Sequence, residues 1–182
     1  MLGDLILKTY RMNPTDFTRK RKQPFVNTLL FMLNLLRKSL VVEIDNFLTH
    51  LNEKFRLGQQ LQSFTSSAFI QNRKKIKPEV FKYLSEVIID NYYVESNENI
   101  QLFKGFRILT VDGSSLTLPF TKELRKLYGE ATNASEIVVV NAKISVLYDV
   151  LNRLSLDSVI APVDTGERKL ALTHFTKLKK MI

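Results

Sequence analysis

Residues 137–161 read IVVVNAKISVLYDVLNRLSLDSVIA, and this stretch decides the fold class. From 137 to 150 an apolar run passes into alternating apolar and polar residues, which is typical of a β-strand with one buried face. Residues 149–153, which begin with Asp149 and end with Asn152 and Arg153, predict a turn, and residues 154–161 predict a further strand. Because residues 106–111 are also rich in β-forming side chains, we predict a meander of three antiparallel strands.

Helical spacing of apolar residues dominates the chain before these strands. Four helices are predicted to start near residues that are favoured at helix N-termini: Pro24, Ser39, Thr65 and Pro78. After the strands, residues 164–167 resemble a capping box and predict a final helix. The sequence therefore predicts an α+β fold, with helices in residues 1–104 and strands followed by a helix in residues 105–182.

The composition is that of a basic globular protein, with 45% hydrophobic residues, a formal net charge of +9 and no cysteine. A charge of this size favours a polyanionic partner, either nucleic acid or an anionic membrane surface. The basic excess lies mainly in residues 1–104, which contain 16 Lys and Arg and 10 Asp and Glu. Residues 105–182 contain 11 Lys and Arg and 8 Asp and Glu.

Residues 25–36 are too short and too polar to span a membrane. His50 and His174 lie far apart and are predicted to be surface or capping residues, not metal ligands.

Two basic clusters are candidates for contacts with DNA phosphates, because clustered cations gain free energy by releasing condensed counterions. The clusters are Arg19, Lys20, Arg21 and Lys22, and then Arg73, Lys74, Lys75 and Lys77. The second cluster lies between two predicted helices, which is compatible with a helix-turn-helix. A solvated charge run at a helix start explains the first cluster equally well, and many helical domains have basic turns.

Asp112 is the candidate metal ligand. It follows the strand predicted at 106–111 and precedes Gly113 and Ser114, which are predicted to break that strand. A carboxylate held by a strand is rigidly aimed, which suits metal coordination. Since Asp-Gly is also a common turn dipeptide, the pattern alone favours a turn aspartate.

Residues 107–119, RILTVDGSSLTLP, resemble the first catalytic block of the DDE transposases in the insertion-sequence-4 group. That block is an apolar strand, then Asp-Gly-Ser or Asp-Gly-Thr, then Leu-Pro. Further similarities follow in the family's order at residues 17–25, 67–81, 147–152 and 166–168. The order and spacing of these blocks are more specific than any single block.

The resemblance implies a helical, helix-turn-helix-like DNA-binding domain at residues 1–104. It implies that residues 105–182 form the first β-β-β-α part of a ribonuclease H-like catalytic domain. In such domains three acidic residues hold two divalent ions, Mg²⁺ or Mn²⁺, and Asp112 matches the first acid. The remaining acids are expected after Ile182, so we expect a truncated transposase that is inactive by itself.

Two other acidic residues are predicted to have structural roles. Asp149 is interpreted as a turn residue and Glu167 as a helix cap, so neither is assigned as the second catalytic acid.

The function implied by the resemblance is binding of the terminal inverted repeats of an insertion sequence, followed in the full family by cutting and joining of DNA strands. A catalytically inactive DNA-binding module, or a decayed remnant that regulates an intact transposase, is the alternative. An unrelated basic helical regulator is a third hypothesis, but it gives no reason for the strands. The expected partners are double-stranded DNA, an intact transposase or a second copy through residues 137–161, with no membrane and a cytoplasmic, nucleoid-associated location.

Overall fold

A computed structural model describes residues 2–19, 22–34, 38–55, 63–95, 99–132 and 135–178. The fold is α+β, as the sequence predicts. In chain order the elements are α1 (Leu2–Tyr10), α2 (Phe25–Leu33), α3 (Leu40–Phe55), α4 (Ser66–Arg73), α5 (Glu79–Glu95), β1 (Leu109–Leu118), α6 (Lys122–Tyr128), β2 (Glu130–Thr132), β3 (Val138–Asp149), β4 (Leu154–Pro162) and α7 (Glu167–Leu178).

The chain divides into two compact units, Met1–Leu84 and Ser85–Ile182. The division falls inside α5, whereas the sequence places the domain boundary at residue 104. Ile89 accounts for the difference, because this buried residue of α5 packs against Leu147 and Leu156 of the sheet. The second half of α5 is therefore part of the β-containing unit.

Phenylalanine side chains form the centre of the first unit. Phe31 of α2 is fully buried, and its ring meets those of Phe47, Phe64 and Phe69 edge to face, with the shortest centroid distance, 4.7 Å, to Phe69. Such pairs add to the free energy of burying the rings themselves. The cluster joins α2 and α3, which the helical spacing predicts, and α4, which Thr65 as an N-cap residue predicts.

Helix α1 was not predicted from the sequence. It spans only nine residues, and its partly buried Ile6, Leu7 and Tyr10 pack against a second cluster that includes Phe25 and Val80. An isolated helix of this length is marginal in water, so tertiary packing and not local propensity stabilises it.

Thr65 begins α4 as the sequence predicts. Its backbone is extended, and its hydroxyl accepts a hydrogen bond from the amide of Ala68 at 3.2 Å. This satisfies one of the four amides at the helix start that have no partner within the helix. After Arg73 the chain turns through residues 74–78 into α5.

The sheet of the second unit has β3 at its centre. β1 pairs with it antiparallel from Leu109–Asp149 to Leu118–Val140, and β4 pairs with it antiparallel on the other edge, where β2 adds a short pairing near Val140. The predicted meander is confirmed. The predicted break at residues 112–114 is wrong, because β1 continues through this segment with its full ladder to β3.

The turn between β3 and β4 is fixed by Asp149, which is fully buried. Its carboxylate accepts hydrogen bonds from the backbone amide of Asn152 at 3.1 Å and from the Tyr93 hydroxyl at 2.6 Å. Burial, reinforced by this hydrogen bond, raises the pKa of Tyr93 to about 12. The interpretation of Asp149 as a turn residue agrees with these contacts.

Candidate nucleic-acid interface

The turn between α4 and α5 is held in place by the residues that follow α1. The amide of Met12 donates to the carbonyl of Lys75 at 2.8 Å, and the amide of Lys77 donates to the carbonyl of Tyr10 at 2.7 Å. Between these bonds Arg11 and Ile76 form an antiparallel bridge. Ile76 is buried in the core of this unit, so the basic turn has a fixed position on the helical unit.

A cleft of about 340 Å³ lies beside this turn. We call it the basic cleft, and its lining includes Asp16, Phe17, Arg19, Gln23, Asn72 and Lys75. Arg19 belongs to the first predicted basic cluster and Lys75 to the second, although more than fifty positions separate them in the chain. The structure therefore brings members of the two clusters to one site.

The side chain of Lys75 is positioned by two contacts within the helical unit. Its Nζ donates to Asn72 Oδ1 at 3.1 Å and lies 6.0 Å from the centroid of the Phe17 ring. Phe17 has a positive φ of 58°, which is uncommon for a bulky residue, and its ring packs edge to face on Phe25 at 5.4 Å. These contacts place the ammonium group of the half-buried Lys75 at the cleft.

The other predicted DNA-binding residues differ in exposure. Lys22, Arg73 and Lys74 are exposed, so their charges are available to a large partner. The half-buried Lys77 instead donates from Nζ to the carbonyl of Thr9 at 3.1 Å, near the C-terminal end of α1. A cation is favourable at that end of a helix, so Lys77 has a stabilising role. Lys20 and Arg21 lie outside the described residues.

Asp112 lies in the middle of β1 and is exposed. Its Oδ1 accepts a hydrogen bond from the Gly113 amide at 2.9 Å, and it stands opposite Val146 of β3. Side chains alternate along a strand, so Asp112 is on the opposite face from its neighbour Val111, which packs on the buried cluster of this unit. The carboxylate is thus on a rigid element and reachable by solvent.

The described residues do not form a two-metal site around Asp112. Within those ranges no three His, Asp or Glu side chains lie close enough together to hold a metal ion. Glu167, interpreted from the sequence as a cap, is the first residue of α7, and its Oε1 lies 3.7 Å from Lys143 Nζ beside a second cleft of about 310 Å³ between β1, β3 and α7. Gly113 lines this cleft, and a Cβ there would lie 3.9 Å from Glu167 Cγ.

A buried hydrogen-bonded array of Ser145, His174 and Asp157 was not predicted. His174 Nε2 is 3.0 Å from Ser145 Oγ, and Nδ1 is 2.8 Å from Asp157 Oδ2. The prediction of a surface or capping role is wrong for His174, which is fully buried, whereas His50 is exposed on α3. The missed signal is the helical spacing, because His174 lies four residues after the buried Leu170 on the same face of α7.

The atoms of this array are connected as in a Ser-His-Asp triad. Ser145 borders the second cleft, but it is only 2% exposed and lies within the central strand β3, so it presents almost no surface to a substrate carbonyl. Buried polar groups need hydrogen-bond partners, and these three side chains supply them to one another. We therefore interpret the array as a buried hydrogen-bond network that holds α7 against β3 and β4.

Comparison of the chain with protein-family models, curated proteins and solved structures finds no match. Among the described residues, no helix is both long enough and apolar enough to cross a bilayer.

Proposed function

We propose that this chain is a DNA-binding protein of the DDE transposase type, whose helical unit binds double-stranded DNA. The observation that carries the proposal is the meeting of Arg19 and Lys75 at the basic cleft, beside the exposed Arg73 and Lys74. Clustered cations of this kind bind duplex DNA mainly through its phosphates. The formal net charge of +9 acts in the same direction over longer distances.

Helix α4, the turn at 74–78 and the start of α5 are proposed as a helix-turn-helix-like element. In support, Thr65 caps the N-terminus of α4 and Arg73 lies in its last turn. The turn that follows is held by backbone hydrogen bonds to residues 10–12. In such elements one helix contacts base edges while its neighbour and the turn contact the backbone. The basic turn would then face the phosphates.

The strands β1, β3 and β4 with α7 are proposed as the opening β-β-β-α part of a ribonuclease H-like domain. Their antiparallel order, with the second long strand in the centre, is compatible with that assignment. Asp112, exposed on the first strand, is proposed to correspond to the first acid of the DDE set. In that family Mg²⁺ or Mn²⁺ supports strand cleavage by activating and stabilising the reacting oxygens.

No cleavage step is assigned to this chain, because the described residues bring no group of three metal ligands together. The alternative form of the proposal is a DNA-binding module that lacks cleavage activity alone and regulates or pairs with an intact transposase. Both forms require the same DNA-binding surface, so one binding experiment tests what they share.

The test compares two charge-matched double variants of the full chain. Arg73→Gln with Lys74→Gln removes two exposed charges next to the basic cleft, whereas Lys122→Gln with Lys126→Gln removes two exposed charges from α6. Binding to a fluorescent duplex that carries the inverted-repeat end flanking its gene is measured by anisotropy at constant salt.

The first double variant is expected to weaken binding at least tenfold more than the second. Equal losses in both variants would mean that net charge alone drives binding, and the assignment of the helical unit would then be abandoned.

A further inference from the structure

The hydrogen bonds among Lys75, Asn72 and Gln23 at the basic cleft leave the side-chain donor of Gln23 without a partner in the part of the chain that the structure describes. The ammonium of Lys75 can only donate, so it fixes Asn72 with Oδ1 toward Lys75. The Nδ2 of Asn72 must then donate, and it lies 3.1 Å from Gln23 Oε1. The amide of Gln23 is thereby oriented, and its Nε2 is left without an acceptor among the described residues.

An unpaired donor at this position is informative because Gln23 is 3% exposed and Asn72 is 7% exposed. Burying a polar group without a partner costs free energy, and most such groups in native proteins are paired. If the Gln23 amide were rotated by 180°, its Nε2 donor would face the Nδ2 donor of Asn72. The hydrogen bonds from Lys75 to Asn72 and from Asn72 to Gln23 therefore require the observed orientation. The missing hydrogen-bond partner of Gln23 Nε2 must therefore be an acceptor.

The charges around the cleft select an anionic acceptor. Among the described residues no carboxylate lies within ion-pair distance of Arg19 or Lys75. Asp16 also lines the cleft, but its Oδ2 already accepts from the backbone amide and the side chain of Asn13, at 2.9 and 3.1 Å. The lining still contains this one carboxylate against the two cations Arg19 and Lys75, so its formal charge is positive. Phosphate oxygens are acceptors only and therefore suit the donors of Gln23, Arg19 and Lys75.

We propose that the basic cleft binds one phosphate group of the DNA backbone, with Gln23 as its buried donor and Arg19 and Lys75 as its charges. This inference rests on the proposed DNA-binding function and adds the particular contact. Phosphate contacts fix the orientation of a protein on the duplex but carry no base sequence. The cleft therefore sets register, and sequence is read by other residues of the helical unit.

The first arm of the test uses the wild-type chain and inorganic phosphate alone. Titration is followed by two-dimensional nitrogen–proton nuclear magnetic resonance of the side-chain amides. The Gln23 amide is expected to shift in a saturable manner, while the exposed Gln101 of the second unit stays unchanged. This arm does not depend on whether a variant folds.

The second arm measures duplex binding of two variants that carry the same charge change, Gln23→Glu and Gln101→Glu. Glu at position 23 repels phosphate and is expected to weaken binding about tenfold or more, by an equal factor for specific and scrambled duplexes. Gln101→Glu controls for net charge. Lys75→Gln should lower the slope of log K against log salt by about 1, the loss of one phosphate contact.

The outcomes separate this inference from the function on which it rests. If wild type binds duplex and Gln23→Glu binds as well as Gln101→Glu, the cleft assignment is overturned and DNA binding stands. If wild type binds no duplex but the Gln23 amide still shifts with inorganic phosphate, the DNA-binding function fails and the cleft takes a free phosphate. If neither occurs, both are overturned. Far-ultraviolet circular dichroism of each variant checks that the helices remain.

Discussion

Replacement of His174 by alanine tests whether the Ser145–His174–Asp157 array holds the second unit together. The histidine is fully buried and bridges β3 and β4 through contacts of 3.0 and 2.8 Å. Its removal leaves the Ser145 hydroxyl without this partner, takes a hydrogen bond from Asp157 and opens a cavity under α7. Removing the partner of a buried charged group such as a carboxylate costs about 3–5 kcal/mol, which is a large part of the roughly 5–15 kcal/mol that stabilises a typical domain.

The assay is urea unfolding combined with native-state hydrogen exchange. Exchange of the β3 and β4 amides reports on the second unit alone, so unfolding of the helical unit does not obscure the result. We expect His174→Ala to lower the free energy of opening of these amides by about 3–5 kcal/mol. Ser145→Ala, which removes a single hydrogen bond, should cost only about 1 kcal/mol.

The chain supplies its own control for this experiment. His50 is exposed on α3, so His50→Ala should change stability by less than about 0.5 kcal/mol. A decrease of less than about 1 kcal/mol in the free energy of opening for His174→Ala would refute the reasoning. The buried hydrogen-bond network between helix and sheet would then contribute no more than an ordinary surface residue.

Tyr93 should titrate with a pKa of about 12 when tyrosine absorbance is followed with pH, and Tyr93→Phe should remove that step. Because the folded-state pKa lies above the unfolded value of 10.0, the stability contributed by Tyr93 is complete below pH 10 and is lost as pH rises toward 12; an ordinary titration near pH 10 would contradict this. Gly129→Ala should destabilise the second unit by about 1 kcal/mol or more, since Gly129 has φ of 87° and a new Cβ would lie 3.1 Å from Val163; an unchanged urea midpoint would count against it. Light scattering should detect a dimer formed through residues 137–161, because Ile137 and Ile160 are exposed and β4 pairs only with β3 among the described residues; a monomer at high concentration would exclude it.

Local sequence patterns predicted the sheet and most helices. Alternation at 142–148, the β-forming residues at 106–111 and the turn at 149–153 required no knowledge of the rest of the chain. The same local reasoning failed at Asp112 and Gly113, because the conformation of this dipeptide was predicted from the intrinsic turn preference of Asp-Gly alone. Ten ladder pairs between β1 and β3 hold this segment extended, so tertiary pairing overrides the turn preference.

The candidate site was predicted in part. The basic residues were identified as two separate clusters, but no sequence pattern places Arg19 and Lys75 at the same cleft. That juxtaposition depends on the bridge of Arg11 to Ile76, which is a long-range backbone contact. Gln23 was missed for a related reason, since its unpaired amide follows from the orientation of Asn72 and has no sequence signature.

The salt dependence of DNA binding tests the central claim most directly. The full chain is titrated with the inverted-repeat duplex and with a scrambled duplex over a range of salt concentrations. The proposed phosphate contacts of Arg19, Arg73, Lys74 and Lys75 predict that log K falls against log salt with a slope of about −3.6 or steeper, with tighter binding to the inverted repeat. A slope near zero, or no binding to either duplex, would contradict the claim that the helical unit binds DNA.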